Sequence, residues 1–170
     1  MKNMYVVALF AIPLTISCTS KPTEVTHVEK TTTTPFTDTV KLDTFKVSLR
    51  ETTSKGNALI FKIISHQGKE IYQTSIQTDA FLKANDNLKT ERDKMKFLSN
   101  EVQYFFEEEH FLWPAVIPSE QADKNVPDKV FHNELKETKL NGFNYRLGTE
   151  AKVYIAWSVK ENKVKVYYKL

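Results

Sequence analysis

An α+β domain dominated by antiparallel sheet is what this chain predicts, with about six to eight strands joined largely by hairpins and one or two helices packed on one side. Two observations carry it. Apolar and polar residues alternate in run after run between residues 40 and 170, and short turns containing Gly or Asn separate several of these runs. Strong helical spacing is confined to one stretch near the middle, Leu88–Leu98.

The first strand is expected within Val40–Arg50, where Phe45, Val47 and Leu49 alternate with Lys46, Ser48 and Arg50. A turn at Ser54–Asn57 leads to Ala58–Ile64, and Gln67-Gly68 turns the chain into Lys69–Ile76; two β-branched runs around a glycine predict a hairpin. Asp79 is placed to cap a short helix over Ala80–Ala84, which Asn85-Asp86-Asn87 ends. In Leu88–Leu98, Leu88, Met95 and Leu98 fall on one side of a helix, with Asn87 as its N-cap and Thr90 at the capping-box position. Glu101–Phe106 is compatible with either helix or strand.

Phe111-Leu112-Trp113-Pro114-Ala115-Val116-Ile117-Pro118 is the most apolar stretch after the leader. Its two prolines bar it from a central strand, so it forms an edge or an extended loop. Exposed, Phe111, Leu112, Trp113, Val116 and Ile117 would make a binding patch; buried, they would be a loop tucked over the core. Ser119–Lys129 is a polar loop. Val130–Leu135 and Thr138–Leu140 are short strand candidates, and Asn141-Gly142 has the composition of a two-residue hairpin turn into Phe143–Leu147. The chain closes with a hairpin, Lys152–Val159 and Val164–Leu170 about a turn at Lys160–Lys163.

The composition excludes several functions. Charge is nearly balanced at +3, and basic and acidic residues are interspersed, so no basic stripe suits nucleic acid. Four glycines include no phosphate-cradling loop, and no Gly-x-Ser-x-Gly elbow occurs. The single cysteine, Cys18, rules out an internal disulfide and cysteine-based zinc or redox centres. Glu107-Glu108-Glu109-His110 is an acidic knot, but consecutive acids diverge on a helix or a strand, so no metal, no cofactor and no catalytic group is assigned. Of the histidines, His27 and His66 fall in a tether and at a hairpin end, which leaves His110 and His132 as the only general-base candidates.

The N-terminal stretch MKNMYVVALFAIPLTISC has the parts of an export signal: a basic start at Lys2, an apolar run from Met4 to Leu14, and small or polar residues before a cysteine. The run is about half the roughly 20 residues that cross a bilayer as a helix, so a permanent span is not expected. Leu14-Thr15-Ile16-Ser17-Cys18 resembles the lipobox of bacterial lipoproteins, fitting best at Ser17 and Cys18 and departing from the commonest form at Thr15 and Ile16. The resemblance implies that residues 1–17 are removed and that Cys18, now first, carries a diacylglycerol on sulfur and a third acyl chain on its amine. Two or three chains hold a protein durably, each CH₂ adding about 0.8 kcal/mol.

Residues 18–39 then read as the lipidated cysteine and a Thr- and Pro-rich tether with little to bury, and residues 40–170 as one globular domain. Glu24 is the only acid in Thr19–His27, and in the lipoprotein class an acid-poor start goes with the outer membrane's periplasmic face. The layout is similar to that of small Gram-negative envelope lipoproteins. The expected role is a non-enzymatic binding or structural module, anchored to the membrane by its lipid and contacting an envelope protein or glycan. The alternatives are an envelope hydrolase assembled from His110, Glu109 and His132, or a protein secreted free into the periplasm.

Overall fold

The computed structural model describes residues 28–52 and 56–170, and the signal, Cys18 and the tether as far as residue 27 lie outside it. Eight strands form two four-stranded antiparallel sheets. The first sheet runs in order β1 (Glu29–Pro35), β2 (Leu42–Thr52), β3 (Gly56–Ile64), β4 (Glu70–Gln77). The second runs β5 (Phe111–Leu112), β6 (Gly142–Arg146), β7 (Lys152–Ser158), β8 (Lys163–Lys169). Among the described residues there are also three α-helices, α1 (Asp79–Lys83), α2 (Glu91–Gln103) and α3 (Lys129–Thr138).

The core between the sheets follows from the alternation. Phe45, Val47 and Leu49 of β2, Leu59, Phe61 and Ile63 of β3, and Phe143, Tyr145, Val153 and Ile155 of the second sheet are buried together. Phe61 lies 5.2 Å from Phe143 and 5.6 Å from Tyr145, ring centre to ring centre, and Phe45 lies 5.3 Å from Phe143. The Tyr72 and Tyr145 hydroxyls join the sheets at 2.6 Å. Burial keeps both phenols protonated, pushing their pKa values up. Leu98 and Val102 of α2 close the same core, whereas α3 covers the opposite face of the second sheet, with Phe131 and Leu135 over Ala156 and Tyr167.

Glu29–Pro35, expected within the tether, is strand β1, paired from Glu29↔Ser48 to Pro35↔Leu42. Its threonines supply no hydrophobic signal, yet they are β-branched and suit an edge strand. Thr34 turns inward and Phe36 inserts fully into the core.

Two helix starts shift. In α1 the cap position is Thr78, whose hydroxyl donates to the Asn57 carbonyl at 2.7 Å, and Asp79 is already helical. The N-cap of α2 is Thr90, not Asn87: its Oγ1 accepts from the Asp93 N–H at 3.1 Å while the Asp93 carboxylate accepts from the Thr90 N–H at 3.2 Å. Asp93 holds the capping-box position that the expected Asn87 cap would have given to Thr90.

The larger correction lies at residues 129–142, where the expected strands at Val130–Leu135 and Thr138–Leu140 are helix α3 followed by its exit. Asp128 caps it, accepting from the Val130 and Phe131 N–H groups at 3.0 Å each. Lys139 ends it in the left-handed region at φ 54°, its N–H returning to the Leu135 carbonyl. With a helix before it, Asn141-Gly142 cannot be a hairpin turn. Asn141 instead donates its side-chain amide to the Pro35 carbonyl at 2.9 Å, and Gly142 opens β6.

Gly142 is small for a packing reason. A Cβ there would stand 2.8 Å from the Tyr167 hydroxyl and 2.9 Å from the Ala115 Cβ. Gly142→Ala is therefore expected to destabilise the domain by about 1–3 kcal/mol through overpacking, read as a lowered urea midpoint.

Candidate functional site

The Phe111–Pro118 stretch divides between the two outcomes its sequence left open. Phe111 and Leu112 form the short edge strand β5, pairing with Phe143 and Gly142. Phe111 packs its ring 4.9 Å from Phe143 and is half-buried, and Leu112 points to the opposite face of the sheet. Ala115 and Val116 are buried, Val116 completely, so Val116 drops out of any surface patch. Trp113 and Ile117 remain outside, 56% and 51% exposed. Trp113 lies parallel to Phe111, at 6.1 Å and 8° between planes, and its bond to Pro114 is cis. The exposed part of the patch is thus a two-ring stack at a sheet edge, with Ile117 farther along the chain.

Immediately before this stack the chain makes a 3₁₀ turn, Glu108–His110, which lines a cleft of about 310 Å³. Glu101 and Phe105 from the end of α2, His110 from the turn, and Arg146 and Lys152 at the facing ends of β6 and β7 meet there. Arg146 donates from Nη2 to Glu101 Oε2 at 2.7 Å while its guanidinium lies 5.6 Å from the Phe81 ring centre. His110 stands 3.6 Å from Glu109 by its Nε2, and its buried Nδ1 has no hydrogen-bond partner among the described residues. Burial lowers the His110 pKa; Glu109 opposes this, and Lys152 and Arg146 add to it. Burial thus favours the uncharged form of the ring.

His132 does not join His110 and Glu109. It sits on α3, fully buried on the far face of the second sheet, where Glu120 Oε1 is 3.7 Å from its Nε2. The sheet itself separates the two histidines, so the three residues form no common centre. Nor do the described residues contain any group of three His, Cys, Asp or Glu able to hold a metal.

A second polar cleft, of about 350 Å³, lies at the turn ends of the first sheet. Asp43 is completely buried there and fully bonded: it accepts from Thr37 N at 2.6 Å, Thr37 Oγ1 at 2.9 Å and His66 N at 2.7 Å. His66 Nδ1 is 3.3 Å from both Asp43 Oδ1 and Thr37 Oγ1. Its Nδ1–H is placed to donate to the carboxylate, and Trp157 and Lys163 line the same cleft. Sequence reasoning puts His66 at a hairpin end but misses its partner, because Asp43 lies 23 residues away on another strand.

Compared with protein-family models, with curated proteins and with solved structures, the chain matches none. What fold and sites define is an antiparallel two-sheet α+β domain with polar clefts and one exposed aromatic stack. No helix among the described residues is long and apolar enough to cross a membrane.

Proposed function

We propose that this chain is a lipid-anchored cell-envelope protein, held by Cys18 in the outer membrane on its periplasmic side, whose β-rich domain works by binding. The observation that carries the binding half is the Phe111–Trp113 stack: a rigid ring pair with Trp113 more than half exposed at a sheet edge. Such a surface receives a sugar ring or an apolar side chain of an envelope protein, since it offers large area at little entropic cost. The lipobox-like Leu14–Cys18 carries the anchoring half.

The test is the full chain expressed in a bacterium that processes lipoproteins, read by intact mass, with a photo-crosslinking residue at Trp113 or, as control, at Lys46 on the outer face of the first sheet. Wild type is expected to begin at Cys18 with acyl mass, and Cys18→Ala to lack that mass and leave the membrane fraction. Adducts are expected from position 113 and not from 46. Equal, unacylated masses for wild type and Cys18→Ala defeat the anchor; equal crosslinking at both positions defeats the surface.

A hydrolytic reading draws on one observation, the half-buried His110 among carboxylates in the adjoining cleft. It rests on His110 with Glu109 and Glu101, without His132.

A further inference from the structure

The face of the second sheet that carries α3 holds a groove that the strand pattern conceals. Along β8, strict alternation puts Tyr167 with Lys165 on the α3 side and Tyr168 on the opposite side. The register breaks there: Tyr154 pairs with Tyr168, but Ile155 pairs with Val166, so Tyr167 is an extra, unpaired residue. This bulge turns both tyrosines to the face of Tyr154. The Tyr154 ring meets Tyr167 at 6.1 Å and 73°, and Tyr168 at 5.4 Å and 85°, so two rings stand nearly upright against a third.

The loop before α3 is tied down over these rings. Tyr168 donates its hydroxyl hydrogen to Asp123 Oδ2 at 2.9 Å and accepts from Asn125 Nδ2 at 3.1 Å, and the Lys169 N–H donates to the Asn125 carbonyl at 3.1 Å. Between loop and rings lies a groove of about 350 Å³, lined by Glu120, Asp123, the three tyrosines and, at its ends, Leu112 and Leu170. No lysine, arginine or histidine lines it. Its charge is that of two carboxylates, and its walls are the electron-rich faces of phenol rings.

Two fully or nearly fully buried polar side chains point at the Glu120 end without partners among the described residues: the Tyr167 hydroxyl, and His132 at both ring nitrogens. His132 Nε2 is 3.7 Å from Glu120 Oε1, beyond a hydrogen bond. The Glu120 charge also acts on the Tyr167 hydroxyl, which burial already keeps protonated. Glu120 is 40% exposed and lines the groove with Tyr167, whereas His132, 3.7 Å from its carboxylate, is wholly buried behind that wall. A buried phenol left unpaired is costly unless a polar group from outside satisfies it.

We infer that this groove binds a primary amine, its ammonium seated on Glu120 with the Tyr167 oxygen as a further acceptor, and its apolar body lying along Tyr154, Tyr168 and Leu112. The two Glu120 carboxylate oxygens and the Tyr167 oxygen offer three acceptors to the three N–H donors of an ammonium, and the ring faces favour a cation over a neutral donor. An anion is excluded by the two carboxylates. The site lies on the face opposite the one the Phe111 ring packs into, and it stands whether or not the chain is lipid-anchored.

The experiment titrates the full chain, in detergent, with three probes by calorimetry: benzylammonium, benzyl alcohol as the neutral analogue, and benzyltrimethylammonium as a cation without N–H groups. Benzylammonium is expected to bind saturably and at least about tenfold more tightly than either of the others. Glu120→Gln, which keeps the shape of the side chain and removes its charge, is expected to weaken benzylammonium about tenfold. Tyr167→Phe keeps the ring and loses the oxygen; weaker binding is expected, whereas an idle hydroxyl would leave binding unchanged. Equal affinity for the alcohol, affinity for the trimethyl cation matching the primary amine, or no saturable heat from benzylammonium up to about 10 mM would each overturn the inference. The three-probe comparison uses wild type alone and so does not depend on either variant folding.

Discussion

Phe61→Ala is expected to destabilise the domain by about 3–5 kcal/mol, which is enough to leave much of the protein unfolded at 37 °C. The ring is fully buried and touches aromatic partners from both sheets and from the segment after α2: Phe45, Tyr72, Phe105, Phe106, Phe143 and Tyr145, all with ring centres within 6.0 Å. Removing it opens a cavity walled by stiff rings, which cannot collapse inward as flexible aliphatic chains would. The polar link between the sheets, Tyr72 to Tyr145, loses its packing support at the same time. Urea unfolding of wild type and variant measures the difference. A loss below about 1 kcal/mol would mean that the sheets do not share this core.

Deleting Lys163–Leu170 is expected to abolish cooperative unfolding altogether. The deletion removes β8, and with it the hydrogen-bonded partner of β7 from Val153 to Ser158. Val164 and Val166 leave the inter-sheet core, and Tyr167 leaves the cluster under α3. Tyr167 is almost wholly buried and the two valines partly so. Full burial of such a side chain contributes about 1.5–3 kcal/mol, so their loss together with the β7 ladder takes up much of the 5–15 kcal/mol that typically holds a domain. The loop over the tyrosines also loses its ties to Tyr168 and Lys169. Thermal unfolding followed by far- and near-ultraviolet circular dichroism tests this. A sharp, coincident transition in the truncated chain would show that β8 is dispensable.

Both results would rest on features of different legibility. The hairpins β3–β4 and β7–β8 were readable because alternation is a local property: Leu59, Phe61 and Ile63 face inward on the same period of two that separates them in sequence. The strand β1 was not, since Thr31 to Thr34 present no apolar alternation and its pairing with β2 supplies the order. The helix α3 was hidden by polar residues on its buried face. His132 and Glu134 are both inside, and the Glu134 carboxylate accepts from Ser158 Oγ at 3.1 Å and from the Lys160 N–H at 3.1 Å, partners 24 and 26 residues away. Val130, by contrast, is exposed. A pattern rule that equates polar with outside therefore misreads the segment.

By itself the sequence determined the class of fold and the two hairpins, which rest on residues adjacent in the chain or two apart. The tertiary structure alone decided which residues of Phe111–Ile117 face solvent, that His110 and His132 lie on opposite sides of a sheet, and that Tyr154, Tyr167 and Tyr168 share one face. The physical reason is common to all three. Burial is conferred by whatever element packs above, and a single bulged residue reverses the face of every side chain beyond it, so neither is written in the local period of the strand.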